Sequence, residues 1–501
     1  MKRILLLTVC LIGSEAVAEN EKANHAKASS GKPNILFIFA DDMSFETIGA
    51  HGLLDIDTPN LDTLVERGAS FTHAYNMGAW GGAVCVASRA MLNTGKFVWD
   101  AQSIKGSTLR EKKHTWSQRM HEAGYQTYMS GKWHVTKFKV SDVFDVSKNV
   151  RPGGMPKDFR SKGSSDGSKP KGYGYKRPID EEDYKTGWKP WDKTNGGFWE
   201  GGTHWSEVLA DDGVEFLQQA ASDDKPFFMY LAFNAPHDPR QAPKEFIDRY
   251  PLSRIKLPEN FLPEYPYAKE ICGKFLRDER LMPYPRTEYS VKVNRQEYFA
   301  LITHMDEQIG KILQALKKSG KADNTYIVFT ADHGLAVGHH GLCGKQNMYD
   351  HSVRPPFLVV GPQVKAGSKI DVPIYLQDVM ATALDWAGAD AEGVDFKSVV
   401  PLLKGKTEKQ YDVIYGAYTG TQRMITVDGW KLIAYPTVGK MRLFNLSKDP
   451  QEMNDLSENP EYAGQLERLS AELENLMDDM KDPMASIDSG GSTKSKEKDS
   501  N

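Results

Sequence analysis

The sequence contains few cysteines, no strong excess of one charge and no apolar run long enough to cross a membrane. Only four of its 501 residues are cysteine, which excludes a small disulfide-stapled scaffold. The 63 basic and 67 acidic side chains leave a net charge of −4, so nothing points to a nucleic-acid partner. The hydrophobic fraction of 40% is typical of a soluble globular protein, and the length permits a large core and more than one domain.

The N-terminus has the three parts of a secretory signal peptide. Lys2 and Arg3 are basic, Ile4–Ile12 is apolar, and Ala16–Ala18 is an A-x-A cleavage site. A run of about nine apolar residues is too short for a membrane-spanning helix. We therefore predict a signal peptide at residues 1–18 and export to the periplasm or medium, with a lipid anchor at Cys10 as the alternative.

Apolar runs alternate with amphipathic helices along most of the chain. The predicted strands are Ile35–Ala40, Tyr125–Met129, Pro226–Phe233, Thr325–Thr330 and Pro356–Val360. The predicted helices are 59–67, Thr115–Ala123, Ser206–Ala221, Arg295–Lys318 and Tyr375–Ala387. Continuous apolar runs are typical of parallel strands that are buried on both faces. The pattern predicts an α/β fold with a large mixed, mostly parallel sheet flanked by helices.

The chain divides into a large domain and a smaller C-terminal one. After a polar leader at 19–32, a large α/β domain is predicted at 33–405, with an irregular insertion at 141–202. A small antiparallel sheet with one helix is predicted at 406–483, and a disordered tail at 484–501. The evidence for the small sheet is a set of short strands at turn spacing: Val413–Tyr418, Arg423–Val427, Trp430–Tyr435 and Arg442–Asn445.

Chemically capable side chains follow four of the predicted strands. They are Asp41 and Asp42, Lys132 and His134, His237, and Asp332 and His333. Ligands of open α/β sheets bind outside the carboxyl ends of the strands, so we expect one convergent site. Three neighbouring carboxylates repel one another unless a cation neutralises them, and their oxygens suit Ca²⁺ or Mg²⁺.

The segment Gly81–Lys96, GGAVCVASRAMLNTGK, places Cys85 at or near a helix N-terminus. Backbone N–H groups and the helix dipole favour an anion there, and Arg89 lies one turn further on. The segment predicts a nucleophile beside an anion site. A buried structural cysteine at a turn is the alternative.

The pattern C-x-A-S-R-x4-T-G-K closely resembles the signature of the type I sulfatases, in the alkaline phosphatase superfamily. In that family a maturation enzyme oxidises the cysteine to formylglycine (3-oxoalanine), and the hydrated aldehyde attacks sulfate esters. Ala87 stands where the commonest signature has proline. If Cys85 is converted, Cys272 and Cys343 either pair or remain two buried thiols.

The resemblance implies roles for the other motif residues. Asp41, Asp42, Asp332 and His333 would hold one calcium ion together with the formylglycine at Cys85, although the family often has Asn at the His333 position. Arg89, Lys132 and Lys345, the last in G-K-x3-Y-D, would bind the sulfate. His134 in G-K-x-H would act as the base, on the same face as Lys132 if the segment is extended. His237 in N-A-P-H would protonate the leaving oxygen.

Together these features predict an exported, calcium-dependent sulfatase that acts on a sulfated carbohydrate. Tryptophans in or near the site-forming segments could stack on sugar rings, or pack as core: Trp80, Trp133, Trp188, Trp191, Trp199 and Trp205. The alternatives are a phosphonate or phosphodiester hydrolase of the same superfamily, and a glycan-binding homologue without turnover.

Overall fold

The computed structural model describes residues 31–485, apart from 152, 154–176, 187–188, 269–275, 277 and 283. The predicted signal peptide, the leader up to residue 30, Trp188, Cys272 and the tail from residue 486 lie outside the described residues. Cys343 is a buried free thiol.

The main sheet has eight strands in the order β12-β2-β11-β10-β1-β9-β5-β6. Their bounds are β1 Asn34–Ala40, β2 Ala69–Phe71, β5 Gln126–Lys132, β6 Val146–Arg151, β9 Phe227–Ala232, β10 Thr325–Ala331, β11 Phe357–Val360 and β12 Ser368–Ile370. All neighbouring pairs are parallel except β10–β11 and β11–β2. The predicted mixed, mostly parallel sheet is therefore confirmed.

Strand β1 lies near the middle of this sheet, and all seven of its residues are buried. Its side chains alternate between two apolar clusters, with Leu36 and Ile38 on one face of the sheet and Phe37 and Phe39 on the other. The continuous apolar sequence arises because both faces of the strand are covered.

Helices cover both faces. Their bounds are α1 Pro59–Arg67, α2 Val84–Thr94, α3 Val98–Ser103, α4 Gly106–Glu111, α5 Trp116–Glu122, α6 Glu181–Thr186, α7 Trp205–Ala221, α8 Lys244–Asp248, α9 Glu288–Lys318, α10 Asp350–Val353, α11 Asp378–Ala387, α12 Val400–Leu403 and α13 Ala463–Asp479. Helix α9 begins well before the predicted Arg295, because Thr287 and Ser290 form a capping box at its first turn. Helix α11 begins later than predicted, since Ile374–Tyr375 forms a short strand, β13, with β3 at Ala74–Tyr75.

The second sheet has the order β17-β16-β15-β14-β4. Its strands are β4 Gly78–Ala79, β14 Ile414–Tyr418, β15 Gln422–Val427, β16 Trp430–Tyr435 and β17 Lys440–Asn445. The four C-terminal strands are antiparallel as predicted, but β4 joins β14 in parallel from the first part of the chain. Gly78 is required there, because a Cβ would lie 1.9 Å from the Ala417 carbonyl oxygen.

The predicted irregular region 141–202 contains regular structure among its described residues. Strand β6 extends the edge of the main sheet beside β5, and β7 Trp199–Glu200 pairs with β8 Thr203–His204. Strand β6 was missed because its sequence, VSKNVR, is polar and partly exposed, as is usual for an edge strand.

Candidate active site

Four adjacent strands carry the predicted site residues to one edge of the main sheet. Asp41 and Asp42 follow β1, Asp332 and His333 follow β10, and Lys132 is the last residue of β5. His237 follows β9, which lies between β1 and β5. The convergence expected from the strand endings is therefore found, because the carboxyl ends of parallel strands share one edge.

Cys85 is the second residue of helix α2 and is buried at this edge. Its Sγ lies 3.3 Å from Lys345 Nζ, 3.4 Å from His333 Nε2 and 3.8 Å from Asp42 Oδ1. Burial and the charge of Asp41 oppose ionisation, but the ammonium groups of Lys132 and Lys345 outweigh them and lower the pKa of the thiol. The side chain thus lies among groups that stabilise negative charge.

Five buried residues could hold a metal ion: Asp41, Asp42, Cys85, Asp332 and His333. Each offers one ligand atom, and these atoms all lie within 4.8 Å of one another. Asp41 Oδ1 is buried and accepts no hydrogen bond. Burial would lower the pKa of His333, but Asp332 and Asp42 raise it to about 9.

Three cationic side chains surround the carboxylates. Arg89 Nε donates to Asp332 Oδ2 at 3.1 Å, and Lys132 Nζ pairs with Asp41. Lys345 Nζ contacts both carboxylate oxygens of Asp42, at 2.7 and 2.8 Å. Arg89 Nη1 also donates to the Lys132 carbonyl oxygen at 2.9 Å, which links the cysteine helix to β5. The cations thus lie where an oxyanion beside Cys85 would need them.

The backbone at His134 is not extended, in contrast to the prediction. Strand β5 ends at Lys132, and His134 has a φ of 51°, so strand alternation does not place the two side chains on one face. Burial and the charges of Lys132 and Arg89 lower the pKa of His134 to about 3, so its imidazole is neutral. The backbone first leaves regular strand geometry at Gly131, which has a φ of 90°. A Cβ at Gly131 would lie 2.0 Å from the Ala232 carbonyl oxygen.

His237 faces Asp42 from the end of β9. Its Nδ1 lies 2.8 Å from the Asp238 carbonyl oxygen, and its Nε2 lies 3.8 Å from Asp42 Oδ2. The Nδ1 contact holds the ring so that Nε2 is directed towards the carboxylate cluster.

Sequence reasoning missed several residues that support the site. Tyr298 lies on helix α9, and its hydroxyl donates to the Asp42 carbonyl oxygen at 2.7 Å. Ser88 Oγ donates to the Asp332 carbonyl oxygen at 2.8 Å. Gln346 Nε2 donates to Asp278 Oδ2 at 2.7 Å, and that carboxylate lies 4.0 Å from Lys345 Nζ. No local motif marks these contacts, which join segments far apart in the chain.

The described tryptophans do not form a single sugar-stacking surface. Trp133 is buried against Phe144 and Tyr230, and Trp205 packs against Phe198 with the Arg151 guanidinium over its ring. Trp133 is therefore a core residue.

Within the described part of the chain, no helix is both long and apolar enough to cross a membrane.

Residues 33–389 match the sulfatase family model, which covers well over half of the chain. The chain belongs to the sulfatase family. Residues 338–479 also match the model of the C-terminal region of N-sulphoglucosamine sulphohydrolase. The family, in the alkaline phosphatase superfamily, identifies this protein as a sulfuric ester hydrolase.

Named relatives agree with this assignment. The sulfatase is 27% identical over 467 residues to an arylsulfatase of Clostridium perfringens, with 87% of this chain and 93% of the relative covered. It is 26% identical over 537 residues to an N-acetylglucosamine-6-O-sulfatase of Bacteroides thetaiotaomicron, with coverage of 92% and 89%.

A solved structure shares the fold. The phosphonate monoester hydrolase of Silicibacter pomeroyi superposes with a TM-score of 0.70 at 20% identity, over 91% of this sulfatase and 97% of that chain. The architecture is therefore common to sulfatases and to hydrolases of phosphorus esters.

Proposed function

We propose that this sulfatase is exported and hydrolyses sulfate esters of a sulfated saccharide, using a formylglycine formed from Cys85 and one bound calcium ion. The observation that carries the proposal is the position of Cys85 Sγ. It lies within 4 Å of Lys345 Nζ, His333 Nε2 and Asp42 Oδ1. A nucleophile formed there would meet both the carboxylate cluster and the sulfate-binding cations.

The residues present fit a hard divalent cation. Asp41, Asp42 and Asp332 supply carboxylate oxygens, the ligands that calcium prefers, within one buried cluster. Asp41 Oδ1 still lacks a hydrogen-bond donor, so a cation could satisfy it. The imidazole of His333 is a softer donor than the amide common in this family, so the identity of the metal needs a direct test.

When present, formylglycine would supply the hydrated aldehyde as nucleophile, and calcium would act as a Lewis acid on the sulfate. Arg89, Lys132 and Lys345 would bind the sulfate oxygens and stabilise their charge in the transition state. His134 would act as the base on the nucleophile, and its imidazole is uncharged because burial and the charges of Lys132 and Arg89 lower its pKa. His237 Nε2 could donate a proton to the leaving alcohol oxygen.

The saccharide substrate is supported by the N-acetylglucosamine-6-O-sulfatase among the relatives. Export is supported by the signal-peptide pattern at residues 1–18. Maturation by a formylglycine-generating enzyme is supported by the C-x-A-S-R pattern.

The second candidate is a phosphonate or phosphodiester hydrolase. The fold shared with a phosphonate monoester hydrolase favours it, and the same three cations suit a tetrahedral phosphorus oxyanion. A glycan-binding homologue without turnover is less favoured, because the carboxylates and cations expected of a catalytic site lie together around Cys85.

Two measurements test the proposal. The mass of the Cys85 peptide from the native host should match an aldehyde in place of the thiol, and an unaltered thiol would contradict conversion. Rates on 4-nitrophenyl sulfate should exceed those on 4-nitrophenyl phosphate diesters. Faster cleavage of the phosphate diester would instead identify the second candidate.

A further inference from the structure

A cavity with three basic residues in its lining lies on the side of helix α9 that bears Arg295. It has a volume of about 310 Å³, and its lining includes Arg295, Lys256, Arg254, Asp55 and Phe299. None of these residues belongs to the site around Cys85. Of the eight residues that line the cavity, three carry positive charge and one carries negative charge, an excess that favours an anion.

Arg295 is the decisive residue. It is 2% exposed, yet its guanidinium donates no hydrogen bond to any described residue, and its buried Nε has no partner. Its nearest carboxylate is Glu46, with 3.9 Å between Nη2 and Oε1. A guanidinium has five N–H donors, and leaving such a charged group buried and unsatisfied is costly.

The neighbouring carboxylates are already engaged by other groups. Glu46 Oε1 lies 2.9 Å from His339 Nε2, within hydrogen-bond distance. Asp55 and Asp57 both accept hydrogen bonds from Arg254, at distances between 2.7 and 3.0 Å. Lys256 is exposed and forms no ion pair among the described residues. Arg295 is therefore the buried cation of the cavity whose Nε lacks a hydrogen-bond acceptor, and Lys256 is an exposed cation without an ion pair among the described residues.

We propose that this cavity binds a tetrahedral oxyanion, namely sulfate, with Arg295 as the buried donor and Lys256 as the outer charge. The sulfate is either the free ion or a sulfate group carried by a saccharide. Arg295 lies three residues before Tyr298, about 4.5 Å along the axis of α9. Tyr298 donates to the Asp42 carbonyl oxygen. Helix α9 therefore carries both the buried arginine of this cavity and a residue that supports the Cys85 site.

Equilibrium dialysis with radiolabelled inorganic sulfate tests the site at constant ionic strength. We expect two bound sulfates per chain in the wild type and one in Arg295→Met. Lys256→Ala should weaken one of the two sites about tenfold, whereas Lys404→Ala, which removes another exposed lysine, should change neither. Equal stoichiometry in the wild type and Arg295→Met would overturn the proposal.

Thermal unfolding provides a readout that separates binding from structure. In sulfate-free chloride buffer, Arg295→Met should unfold at a lower temperature than the wild type, because the buried Glu46 carboxylate loses a neighbouring cation. The increase in midpoint on adding sulfate should be smaller in the variant. A lower midpoint with an unchanged sulfate response would mean that Arg295 is only structural.

Competition distinguishes the two sources of sulfate. A disulfated oligosaccharide that displaces labelled sulfate from both sites would identify a saccharide-borne group as the occupant. Displacement from only one site would identify the free ion. The competition uses Cys85→Ala, because turnover of the oligosaccharide by an active enzyme would release unlabelled sulfate. The result therefore does not depend on the conversion of Cys85.

Discussion

Arg89 and Arg423 are both buried arginines that pair with aspartates, but their surroundings differ. Arg423 in the second sheet donates from Nη2 to Asp482 Oδ1 at 2.7 Å, pairs through Nε with the other oxygen, and directs Nη1 to two backbone carbonyls. Arg89 donates to Asp332 and to the Lys132 carbonyl oxygen. Its Nη2 lies 3.6 Å from Asp41 Oδ1, and neither atom has a hydrogen-bond partner.

The difference separates a structural ion pair from a functional cluster. The donors of Arg423 are satisfied within the protein, so this pair holds the segment at Asp482 against β15. The carboxylates near Arg89 face one another and retain an unsatisfied oxygen, which costs stability unless another group occupies the site. Five experiments test this difference between the Arg89 and Arg423 regions, in order of decreasing expected effect.

Replacing the cysteine should affect catalysis far more than folding. Cys85→Ala should lower kcat/KM for 4-nitrophenyl sulfate by at least about 10⁴-fold, because the nucleophile cannot form. The matched control is Cys343→Ala, which removes a buried thiol from a small apolar cluster and should retain activity per folded molecule. Substantial turnover by Cys85→Ala would show that another group attacks the ester.

Metal removal should affect the Arg89 region alone. Dialysis against a chelator should abolish most activity and lower the unfolding midpoint, since three carboxylates then lie together without the ion. Calcium at 1,000 times its Kd should restore about 4 kcal/mol of apparent stability. The matched variant Arg423→Met should show the same calcium-dependent shift. An unchanged midpoint in the wild type would contradict calcium binding.

Breaking the Arg423 pair should lower stability without changing the chemistry. Asp482→Asn leaves the Arg423 guanidinium buried without its charged partner, which should cost at least about 3 kcal/mol in the free energy of unfolding. Urea titration measures this loss. The value of kcat/KM, measured well below the unfolding midpoint, should stay within about twofold, and a larger loss would show that the second sheet contributes to catalysis.

Acid should weaken the region around Glu46. Burial raises the pKa of this carboxyl, but His339 and Arg295 outweigh it and lower the pKa from 4.5 to about 2. A lowered carboxyl pKa stabilises the fold above about pH 4.5 and loses that contribution as the pH falls towards 2, in total about 3 kcal/mol. In Glu46→Gln, the dependence of unfolding free energy on pH should be flatter over this interval, and an unchanged slope would assign the effect to other carboxyls.

The smallest effect on stability is expected for an exposed ion pair. Lys113 Nζ contacts Glu122 Oε1 at 2.7 Å, but the two side chains are 58% and 49% exposed. Water and salt screen such pairs, so Lys113→Ala should leave the free energy of unfolding nearly unchanged. A larger change, measured by the same urea titration, would show that a short ion-pair distance matters here more than burial.

Much of the fold could be predicted because its central strands have an unambiguous local signal. The runs from Ile35 to Ala40 and from Thr325 to Thr330 are rich in apolar and β-branched residues and form neighbouring parallel strands. Strand β6 has no such signal, and β4 has only two residues. Strand β4 lies beside β14 only because Gly78 can approach Ala417 closely. This contact joins distant parts of the chain.

The sequence could predict which residues lie near one another in the candidate site, but not the contacts between them. The strand endings and the motif at Cys85 indicated all five possible metal ligands, and the structure brings those residues together. The path of His134 was wrong, because a positive φ after Gly131 takes the chain out of the strand. The support from Tyr298, Ser88 and Gln346 was missed, since each contact crosses between elements.

The sequence by itself determined the order of strands and helices, the family and the residue types at the strand ends, because these depend on local periodicity and short motifs. Only the tertiary structure decided which buried charges are satisfied. Arg89, Arg295 and Arg423 are each an ordinary arginine in the sequence. Their roles differ because hydrogen bonding and desolvation depend on neighbours that folding brings from elsewhere in the chain.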